Sequence, residues 1–241
     1  MNIALILAGG VGARVGADIP KQFIKVLDKP IIVYTLETFE KSPLIDKIVL
    51  VCVGSHLDLA KHYCQVYNLS KVTSFIEGGA DFLHSCMNGM NSLQKECEKD
   101  DVVVITSADR PFLSEEEIED AIAVCQKHGS GIAAKPCALC MFQVGDDRTN
   151  SSTYLRDTLM QTATPWAFSY SGLAAALDMY ENNQLPPCES YPIAIYAAAG
   201  NKVFFSKAKA EKIKITEPTD IMLMEQMIIH MGGNENEARP L

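Results

Sequence analysis

The sequence has few aromatic residues and fewer basic than acidic side chains. Among its 241 residues, 7% are aromatic, one is tryptophan, and 30 acidic residues outnumber 21 lysines and arginines, which gives a formal net charge of −9. This charge argues against binding to nucleic acid or to an anionic membrane surface, since both require basic patches. No apolar run approaches the ~20 residues of a membrane span. The apolar N-terminus also lacks the basic leader of a secretory signal, so we expect a cytoplasmic protein.

The cysteines lack the close spacing of a disulfide framework or of a zinc site. Eight of them are scattered through apparent strands and helices, and the C-x-x-C pair of Cys137 and Cys140 has no second pair and no histidine nearby. Such a distribution is typical of reduced, mostly buried thiols. The chain is long enough to bury a large core, and we expect a single domain over residues 1–241.

The start of the chain lacks the two best-known phosphate-binding patterns. No Gly-Lys-Ser/Thr tripeptide closes a Walker A loop, and the glycine spacing misses the G-x-G-x-x-G dinucleotide fingerprint by one residue. Instead, the apolar run 3–7 is followed by a loop with four glycines and two cations: Gly9, Gly10, Gly12, Gly16, Arg14 and Lys21. Glycine opens main-chain N–H groups to a ligand, and the cations would neutralise phosphate charge, so the loop favours polyphosphate binding. The glycines alone would also suit an ordinary turn in an α/β fold.

Apolar runs alternate with helical patterns along most of the chain. The predicted strands cover residues 2–8, 47–53, 72–77, 101–106, 131–135 and 202–205. The predicted helices cover residues 30–41, 56–67, 81–97, 114–128, 171–182 and 218–231. This alternation predicts an α/β fold, a three-layer α/β/α sandwich with a mainly parallel, Rossmann-like twisted sheet. Residues 136–165 have weak periodicity and polar clusters, which predicts a protruding β-arm.

A carboxylate follows the predicted strand 101–106, at the sheet edge where the glycine-rich loop also lies. Asp109 suits Mg²⁺, a hard ion that prefers oxygen ligands and accompanies nucleotide phosphates. The alternative is that Asp109 pairs with Arg110 or caps a turn. Farther along, Lys212 and Lys214 fall on one side of a predicted short strand. They would suit a phosphate site, although solvated lysines on an edge strand would look the same.

One ordered set of motifs spans nearly the whole chain. It consists of Leu7-Ala8-Gly9-Gly10, Gly12, Arg14, Gly16, Pro20-Lys21-Gln22-Phe23, Lys29-Pro30-Ile31, Gly78-Gly79-Ala80-Asp81, Arg110-Pro111-Phe112, Arg156, Thr164-Pro165, Lys214-Ile215-Thr216, Pro218 and Asp220. In this set the chain resembles the cytidylyltransferases that activate methylerythritol phosphate and ribitol phosphate. Ordered agreement of this length is more specific than any one motif. The resemblance implies a GT-A-like nucleotidyltransferase that uses CTP and Mg²⁺, acts on a phosphorylated polyol or sugar, and makes an isoprenoid or cell-surface polymer precursor.

The resemblance also implies roles for individual residues. Arg14 and Lys21 would grip the triphosphate and stabilise charge at the α-phosphate. Arg156 and Lys214 would hold the acceptor's phosphate, with Arg156 reaching across a homodimer through the 136–165 arm. The nucleotide-binding residues would be Leu7, Ala8, Gly9, Gly10, Gly12, Gly79, Ser85 and Arg110. Nucleotidyl transfer needs mainly positioning and charge neutralisation, so such a site requires no covalent nucleophile.

The chain departs from the family pattern at the metal and on the acceptor side. Ser107 stands where the family usually has an aspartate, and Asp109, which lies on the same face of an extended chain, resembles the Asp-x-Pro placement of other nucleotidyltransferases. We therefore predict that Asp109 holds the metal. The other departures are Phe82, Ala163, Trp166 and the segment Cys188-Glu189-Ser190. Loss of hydroxyl-binding groups favours an acceptor that differs from the family's two. Two alternatives remain, a nucleotidyltransferase for another base and a nucleotide-binding homologue without catalysis.

Overall fold

A computed structural model describes residues 1–10, 19–146, 148–209 and 213–237 of the chain. Its strands are β1 (Asn2–Ala8), β2 (Lys25–Val26), β3 (Lys29–Pro30), β4 (Lys47–Cys52), β5 (Val72–Glu77), β6 (Val102–Ser107), β7 (Ser130–Pro136), β8 (Phe142–Val144), β9 (Asn150–Thr153), β10 (Met160–Ser169) and β11 (Phe205–Lys207). Its α-helices are α1 (Ile31–Lys41), α2 (Leu57–Val66), α3 (Phe82–Ser92), α4 (Glu115–His128), α5 (Tyr170–Glu181), α6 (Pro192–Ala198) and α7 (Pro218–Glu237).

Seven of the strands form one central sheet in the order β11-β7-β10-β6-β1-β4-β5. Neighbouring strands are parallel except at β10, which runs antiparallel to both β6 and β7. At the centre, Ile3 of β1 is in register with Lys47 of β4 and with Val103 of β6. Residues 3–8 of β1 are all buried, which is expected of a continuous apolar strand whose two faces are both covered.

Helices cover both faces of this sheet. One face of β1, with Ala4 and Ile6, packs against α1, α2 and α4, whereas the other face, with Ile3 and Leu5, packs against α3, α5 and α6. Alternation of side chains along a strand produces this division. The predicted three-layer α/β/α architecture with a mainly parallel sheet is therefore confirmed.

Local sequence signals set the bounds of the longest helix between two sheet strands, α4. The Glu117 carboxylate accepts a hydrogen bond from the Ser114 N–H group at 3.2 Å, as part of a capping box that starts the helix. Gly129 ends it with φ of 89°, a left-handed conformation that glycine adopts without strain.

Several sequence predictions need correction. The strand predicted over 202–205 lies at Phe205–Lys207, and the helix predicted over 81–97 ends at Ser92. The prediction missed α6 and also missed β10, so that residues 160–165 belong to the central sheet rather than to the arm. Residues 213–217 are not in a strand, whereas Lys212 lies outside the described residues, so no strand supports the predicted alternation of Lys212 and Lys214.

The remainder of the predicted arm carries a small hairpin. Strands β8 and β9 pair antiparallel with each other, and nearly all of their residues are exposed. Elsewhere in the described ranges, no helix is both long enough and apolar enough to cross a lipid bilayer. All eight cysteines are free thiols. The hairpin exposes the apolar side chains of Phe142 and Val144.

Candidate active site

A pocket of about 520 Å³ opens at the carboxyl ends of the parallel strands β1, β4, β5 and β6. We call it the large pocket. The described residues that line it are Leu7, Ala8, Gly9, Gly10, Lys21, Gln22, Val53, Gly54, Glu77, Gly78, Gly79, Ala80, Asp81, Phe82, Ser85, Ser107, Ala108, Asp109, Lys214 and Thr216. Open α/β sheets bind their ligands at this edge, and the volume falls within the roughly 300–1,000 Å³ of small-molecule sites.

The large pocket brings together most of the residues singled out in the sequence. Nine of them line it: Leu7, Ala8, Gly9, Gly10, Lys21, Gly79, Ser85, Asp109 and Lys214. Gly12 and Arg14 lie outside the described residues. Arg110 and Arg156 lie elsewhere, as described below. The pocket thus combines a glycine-rich wall with two lysines and an aspartate from three distant parts of the chain.

The glycine-rich wall is built by close approach of main chain to helix α3. The Gly79 N–H group donates to Ser85 Oγ at 3.0 Å, and a side chain at Gly79 would lie 2.7 Å from the carbonyl carbon of His84. Similarly, a Cβ at Gly9 would lie 2.8 Å from Ser85 Oγ. Asp81 caps the helix by accepting from the His84 N–H group at 2.8 Å. Only glycine fits at position 79, because the atoms nearest to an added Cβ include the rigid backbone of His84.

Gln22 holds the loop that follows β1, a role that the sequence analysis missed. Its buried Nε2 donates to the carbonyl oxygens of Ala8 at 2.6 Å and of Gly10 at 3.0 Å. Both carbonyls belong to the pocket wall, so Gln22 fixes the direction of the main chain there. The signal in the sequence that could have identified this role was the position of Gln22 directly after Lys21.

Lys21 and Asp109 form an ion pair at the bottom of the site. Lys21 Nζ lies 2.5 Å from Asp109 Oδ2, and their side chains are 11% and 8% exposed. Lys21 also donates to the Ile215 carbonyl at 2.6 Å, while Ser107 Oγ donates to Asp109 Oδ1 at 2.6 Å. The Ile215 N–H group in turn donates to the Asp109 carbonyl at 3.0 Å. These contacts fix Lys21 and the segment that carries Lys214 relative to the end of β6. Asp109 therefore pairs with Lys21, not with Arg110.

A second pocket, of about 160 Å³, adjoins the first. We call it the small pocket, and the described residues lining it are Arg110, Lys135, Gln161, Thr162, Ala163, Ala208, Lys209 and Lys214. Lys214 lines both pockets, whereas Arg110, which was predicted to bind the nucleotide, lines only the small one. Burial lowers the pKa of the Arg110 guanidinium, although the nearby Asp109 carboxylate acts in the opposite direction.

Two departures from the family pattern meet at the rim of the large pocket. Phe82, which lines that pocket, packs edge-on against Trp166 with ring centroids 5.9 Å apart. The ring centroid of Tyr191 lies 5.7 Å from that of Phe82 and 6.4 Å from that of Trp166. The segment after Cys188-Glu189-Ser190 therefore reaches the same cluster. Phe82, Trp166 and Tyr191 therefore form one aromatic cluster on this side of the site.

Arg156 lies on the arm, apart from both pockets. Its side chain is about half exposed, and Nε is 3.7 Å from Asp157 Oδ1. It belongs to a single turn of helix over Arg156–Thr158 between β9 and β10. Within one chain it therefore does not meet Lys214, and its predicted role requires a second subunit.

Comparisons with known proteins identify relatives over nearly the whole chain. A family profile described as IspD, 2-C-methyl-D-erythritol 4-phosphate cytidylyltransferase, matches residues 2–230. The ribitol-5-phosphate cytidylyltransferase of Lacticaseibacillus paracasei is 34% identical over 226 residues, which cover 93% of this chain and 97% of the relative. The 2-C-methyl-D-erythritol 4-phosphate cytidylyltransferase of Clostridium kluyveri is 32% identical over 230 residues, 94% of this chain and 96% of the relative.

Solved structures give the same picture of the fold. The 4-diphosphocytidyl-2C-methyl-D-erythritol synthase of Anaerococcus prevotii superimposes with a TM-score of 0.80 at 23% identity, over 95% of this chain and 98% of that one. The 2-C-methyl-D-erythritol 4-phosphate cytidylyltransferase of Francisella tularensis gives a TM-score of 0.75 at 26% identity, over 93% of this chain and 98% of that one. The architecture is therefore shared over nearly the full length of these proteins.

Proposed function

The chain belongs to the 2-C-methyl-D-erythritol 4-phosphate cytidylyltransferase (IspD) family and is a nucleotidyltransferase, and on that premise we propose that it transfers CMP from CTP to the phosphate of a polyol or sugar. One observation carries the proposal: the large pocket, which suits a nucleotide, meets the small cationic pocket at Lys214. Nucleotidyl transfer needs its two substrates held side by side, and a cation between their phosphates offsets the charge of both. The family's named acceptors are methylerythritol phosphate and ribitol phosphate, and the acceptor here belongs to that chemical class.

CTP occupies the large pocket in this proposal. Its base and ribose lie against the glycine-rich wall of Gly9, Gly79 and Ser85, where main chain is open to a ligand. Its triphosphate lies toward Lys21, which is already desolvated and held by Asp109 and the Ile215 carbonyl. A cation fixed in this way needs little reorganisation when charge develops on the α-phosphate.

The transfer itself is an in-line displacement. An oxygen of the acceptor's phosphate attacks the α-phosphorus of CTP and forms a new P–O bond. The bond from the α-phosphorus to the oxygen that bridges to the β-phosphate breaks, and pyrophosphate leaves with that oxygen. Lys21 and Lys214, which both line the large pocket, flank this reaction and neutralise the charge of the two approaching phosphates. Arg14, which lies outside the described residues, is proposed to assist at the triphosphate.

The residues present fit Mg²⁺ held jointly by the protein and the nucleotide. Among the described residues no group of three His, Cys, Asp or Glu side chains forms a complete metal cage. Asp109, however, presents a buried carboxylate to the large pocket, and Mg²⁺ is usually bound by one or two carboxylates together with substrate phosphates. We propose that Asp109 holds the ion, which would neutralise phosphate charge. Ser107 orients that carboxylate through its hydrogen bond.

A second copy of the chain completes the assembly that we propose. The arm exposes large apolar side chains, including Leu139, Phe142, Val144 and Leu155, each more than 60% exposed. A cluster of this kind on a thin hairpin is unfavourable in water unless another surface covers it. A homodimer joined through the remaining arm, residues 137–159, would cover it and would carry Arg156 toward the partner's acceptor site. With eight free thiols and CTP as donor, we place the reaction in the cytoplasm.

A nucleotide panel tests the proposal. The full chain is incubated with Mg²⁺, each of CTP, ATP, GTP and UTP, and either ribitol 5-phosphate or methylerythritol 4-phosphate, and pyrophosphate release is measured. We expect release with CTP that depends on the phosphorylated acceptor. A preference for another nucleotide would reject the choice of CTP. Calorimetric binding of CTP without turnover on any acceptor would instead favour a homologue that binds nucleotide without catalysis.

A further inference from the structure

One carboxylate of the large pocket differs from the other two in its surroundings. Three of the described residues that line the pocket are acidic: Glu77, Asp81 and Asp109. Asp109 pairs with Lys21, and Asp81 caps α3 and contacts His84 Nδ1 at 2.8 Å. The carboxylate of Glu77, by contrast, has no hydrogen bond and no ion pair with any residue that the structure describes. It is therefore an acceptor that remains available to a ligand.

The main chain of the next strand gives this carboxylate its place in the pocket wall. Glu77 is the last residue of β5 and is in register with Cys52, the last residue of β4. Two residues beyond Cys52, a Cβ added to Gly54 would lie 2.7 Å from Cδ of Glu77. The missing side chain of Gly54 thus leaves the space that the carboxylate occupies. Glu77 is exposed, so its carboxylate lies at the mouth of the pocket within reach of a ligand.

The sheet separates Glu77 from the cations of the site. Lys21 pairs with Asp109 just after β6, and β5 is three positions away in the strand order β6-β1-β4-β5. That separation is about 14 Å at ~4.8 Å between neighbouring strands. A carboxylate next to a triphosphate would repel it. With the triphosphate at Lys21, Glu77 is therefore left facing the uncharged end of the nucleotide.

The glycine-rich wall begins directly after Glu77. The Gly78 N–H group donates to the Cys52 carbonyl at 2.8 Å, and a Cβ added to Gly78 would lie 3.3 Å from Cα of Gly9. The chain ends of β1 and β5 therefore approach each other without side chains between them, which leaves a bare surface for a flat ring. A base that lies on this surface has one edge toward the end of β5, where Glu77 stands.

The bases differ in what they present to a carboxylate. An ionised carboxylate only accepts hydrogen bonds. Cytosine presents an amino donor at C4, whereas uracil presents a carbonyl oxygen at the same place, and glutamate is a typical partner of the cytosine amino group. A binding site made for a donor discriminates strongly against an analogue that lacks it, because two acceptors then face each other.

We propose that Glu77 selects the base of the donor nucleotide by accepting a hydrogen bond from the 4-amino group of cytosine. The inference rests on the proposed function, in which the base lies against the glycine-rich wall and the triphosphate lies at Lys21. A hydrogen bond to a charged group is among the stronger ones, and this one forms only with a base that carries the amino group. Glu77 lies far from the reacting phosphates, so it acts on binding and not on the chemical step.

Two variants of Glu77 test the inference. Glu77→Ala removes the acceptor, whereas Glu77→Gln keeps an acceptor oxygen and adds an amide donor that can reach the 4-carbonyl of uracil. The control is Glu119→Ala, an exposed glutamate of α4 that lines neither pocket. Calorimetry with Mg²⁺ and without acceptor gives the affinity of each full-length protein for CTP, UTP and dCTP. Pyrophosphate release with ribitol 5-phosphate or methylerythritol 4-phosphate gives kcat and KM for the same nucleotides.

We expect the wild type to bind CTP about 10- to 100-fold more tightly than UTP, the factor that one hydrogen bond to a charged group supplies. Glu77→Ala should lose this preference through weaker binding of CTP, with kcat within about twofold. Glu77→Gln should bind UTP more tightly than the wild type does, a gain that a purely structural role would not produce. Glu119→Ala should keep the wild-type preference.

Three results would overturn the inference. The first is a preference for CTP over UTP that is absent in the wild type or unchanged in both Glu77 variants. The second is an equal loss of CTP and UTP binding in both variants. The third is a loss that is seen with CTP but not with dCTP, which would place Glu77 at the ribose. Glu77→Gln preserves the shape of the side chain, so it decides the question if Glu77→Ala fails to fold.

The two proposals fail in distinguishable ways. CMP transfer with a preference for CTP that does not depend on Glu77 would remove this inference and leave the proposed function intact. A preference for CTP in calorimetry that is lost in Glu77→Ala, without CMP transfer to any acceptor, would contradict the proposed function and support the role of Glu77.

Discussion

Breaking the ion pair between Lys21 and Asp109 should destabilise the fold strongly, and the size of the loss follows from the burial of the two side chains. The two side chains are 11% and 8% exposed, with Nζ and Oδ2 2.5 Å apart. Removing one member of a buried pair typically costs about 3–5 kcal/mol, because the other charge remains buried without a partner. Asp109→Asn should fall near the lower end, about 3 kcal/mol, since Lys21 keeps the Ile215 carbonyl.

A double-mutant cycle isolates this interaction. Urea unfolding followed by far-UV circular dichroism gives the free energy of unfolding for the wild type, Asp109→Asn, Lys21→Met and the double variant. We expect the double variant to lose well under the sum of the two single losses, because neutralising both members leaves no unpaired charge. Asp58→Asn, which removes an exposed pair with Lys61, should change stability by less than about 1 kcal/mol. If the stability losses of the two single variants add up to the loss of the double variant within about 0.5 kcal/mol, the reasoning is refuted.

Three further predictions follow from the site and the arm. Gly79→Ala should lower the free energy of unfolding by about 1–3 kcal/mol and raise KM for CTP, because the new Cβ meets the backbone of His84; an unchanged urea midpoint would contradict this. Hydrogen bonds from Thr216 and Glu217 lower the pKa of the Asp220 carboxyl group. Its contribution to stability is therefore fully present when the pH is above 3.8, the usual pKa, and is lost as the pH falls through the lowered pKa. Below pH 4 the free energy of unfolding should change less with pH in Asp220→Asn than in the wild type, and an identical dependence in both would argue against this role. Leu155→Lys should convert the proposed dimer to a monomer in light scattering, whereas Val66→Lys, which changes an exposed residue of α2, should not; a monomeric wild type would remove the argument.

The central strands could be predicted from the sequence because their apolar runs are buried on both faces. Residues 3–8 of β1 and 102–107 of β6 are continuous, apolar or small, and fully covered, which leaves little ambiguity. Helix α4 was equally well marked by Ser114 with Glu117 and by Gly129. These elements place the glycine-rich wall and the residues after β6 at one edge of the sheet. The large pocket could therefore be anticipated from local signals.

Strand β10 could not be predicted in the same way. Its first three residues are exposed and its pattern is irregular at the bulge between Thr162 and Trp166, so nothing local identifies ten residues of strand. Its pairing with β6 on one side and with β7 on the other stabilises it, and this pairing forms only in the folded sheet. The small pocket depends on this insertion, because β10 sets the distance between Arg110 and Lys135. The sequence therefore assigned Arg110 to the nucleotide, whereas the structure places it beside Lys135 in the small pocket.

The chemistry of nucleotidyl transfer is tested most directly by phosphorus NMR of the reaction itself. The full chain is mixed with CTP, Mg²⁺ and whichever of ribitol 5-phosphate and methylerythritol 4-phosphate it uses better. We predict loss of the three CTP signals and equal growth of free pyrophosphate and of two coupled signals from a diphosphate diester. Formation of orthophosphate and CDP, or CTP that persists with both acceptors, would contradict the proposed transfer.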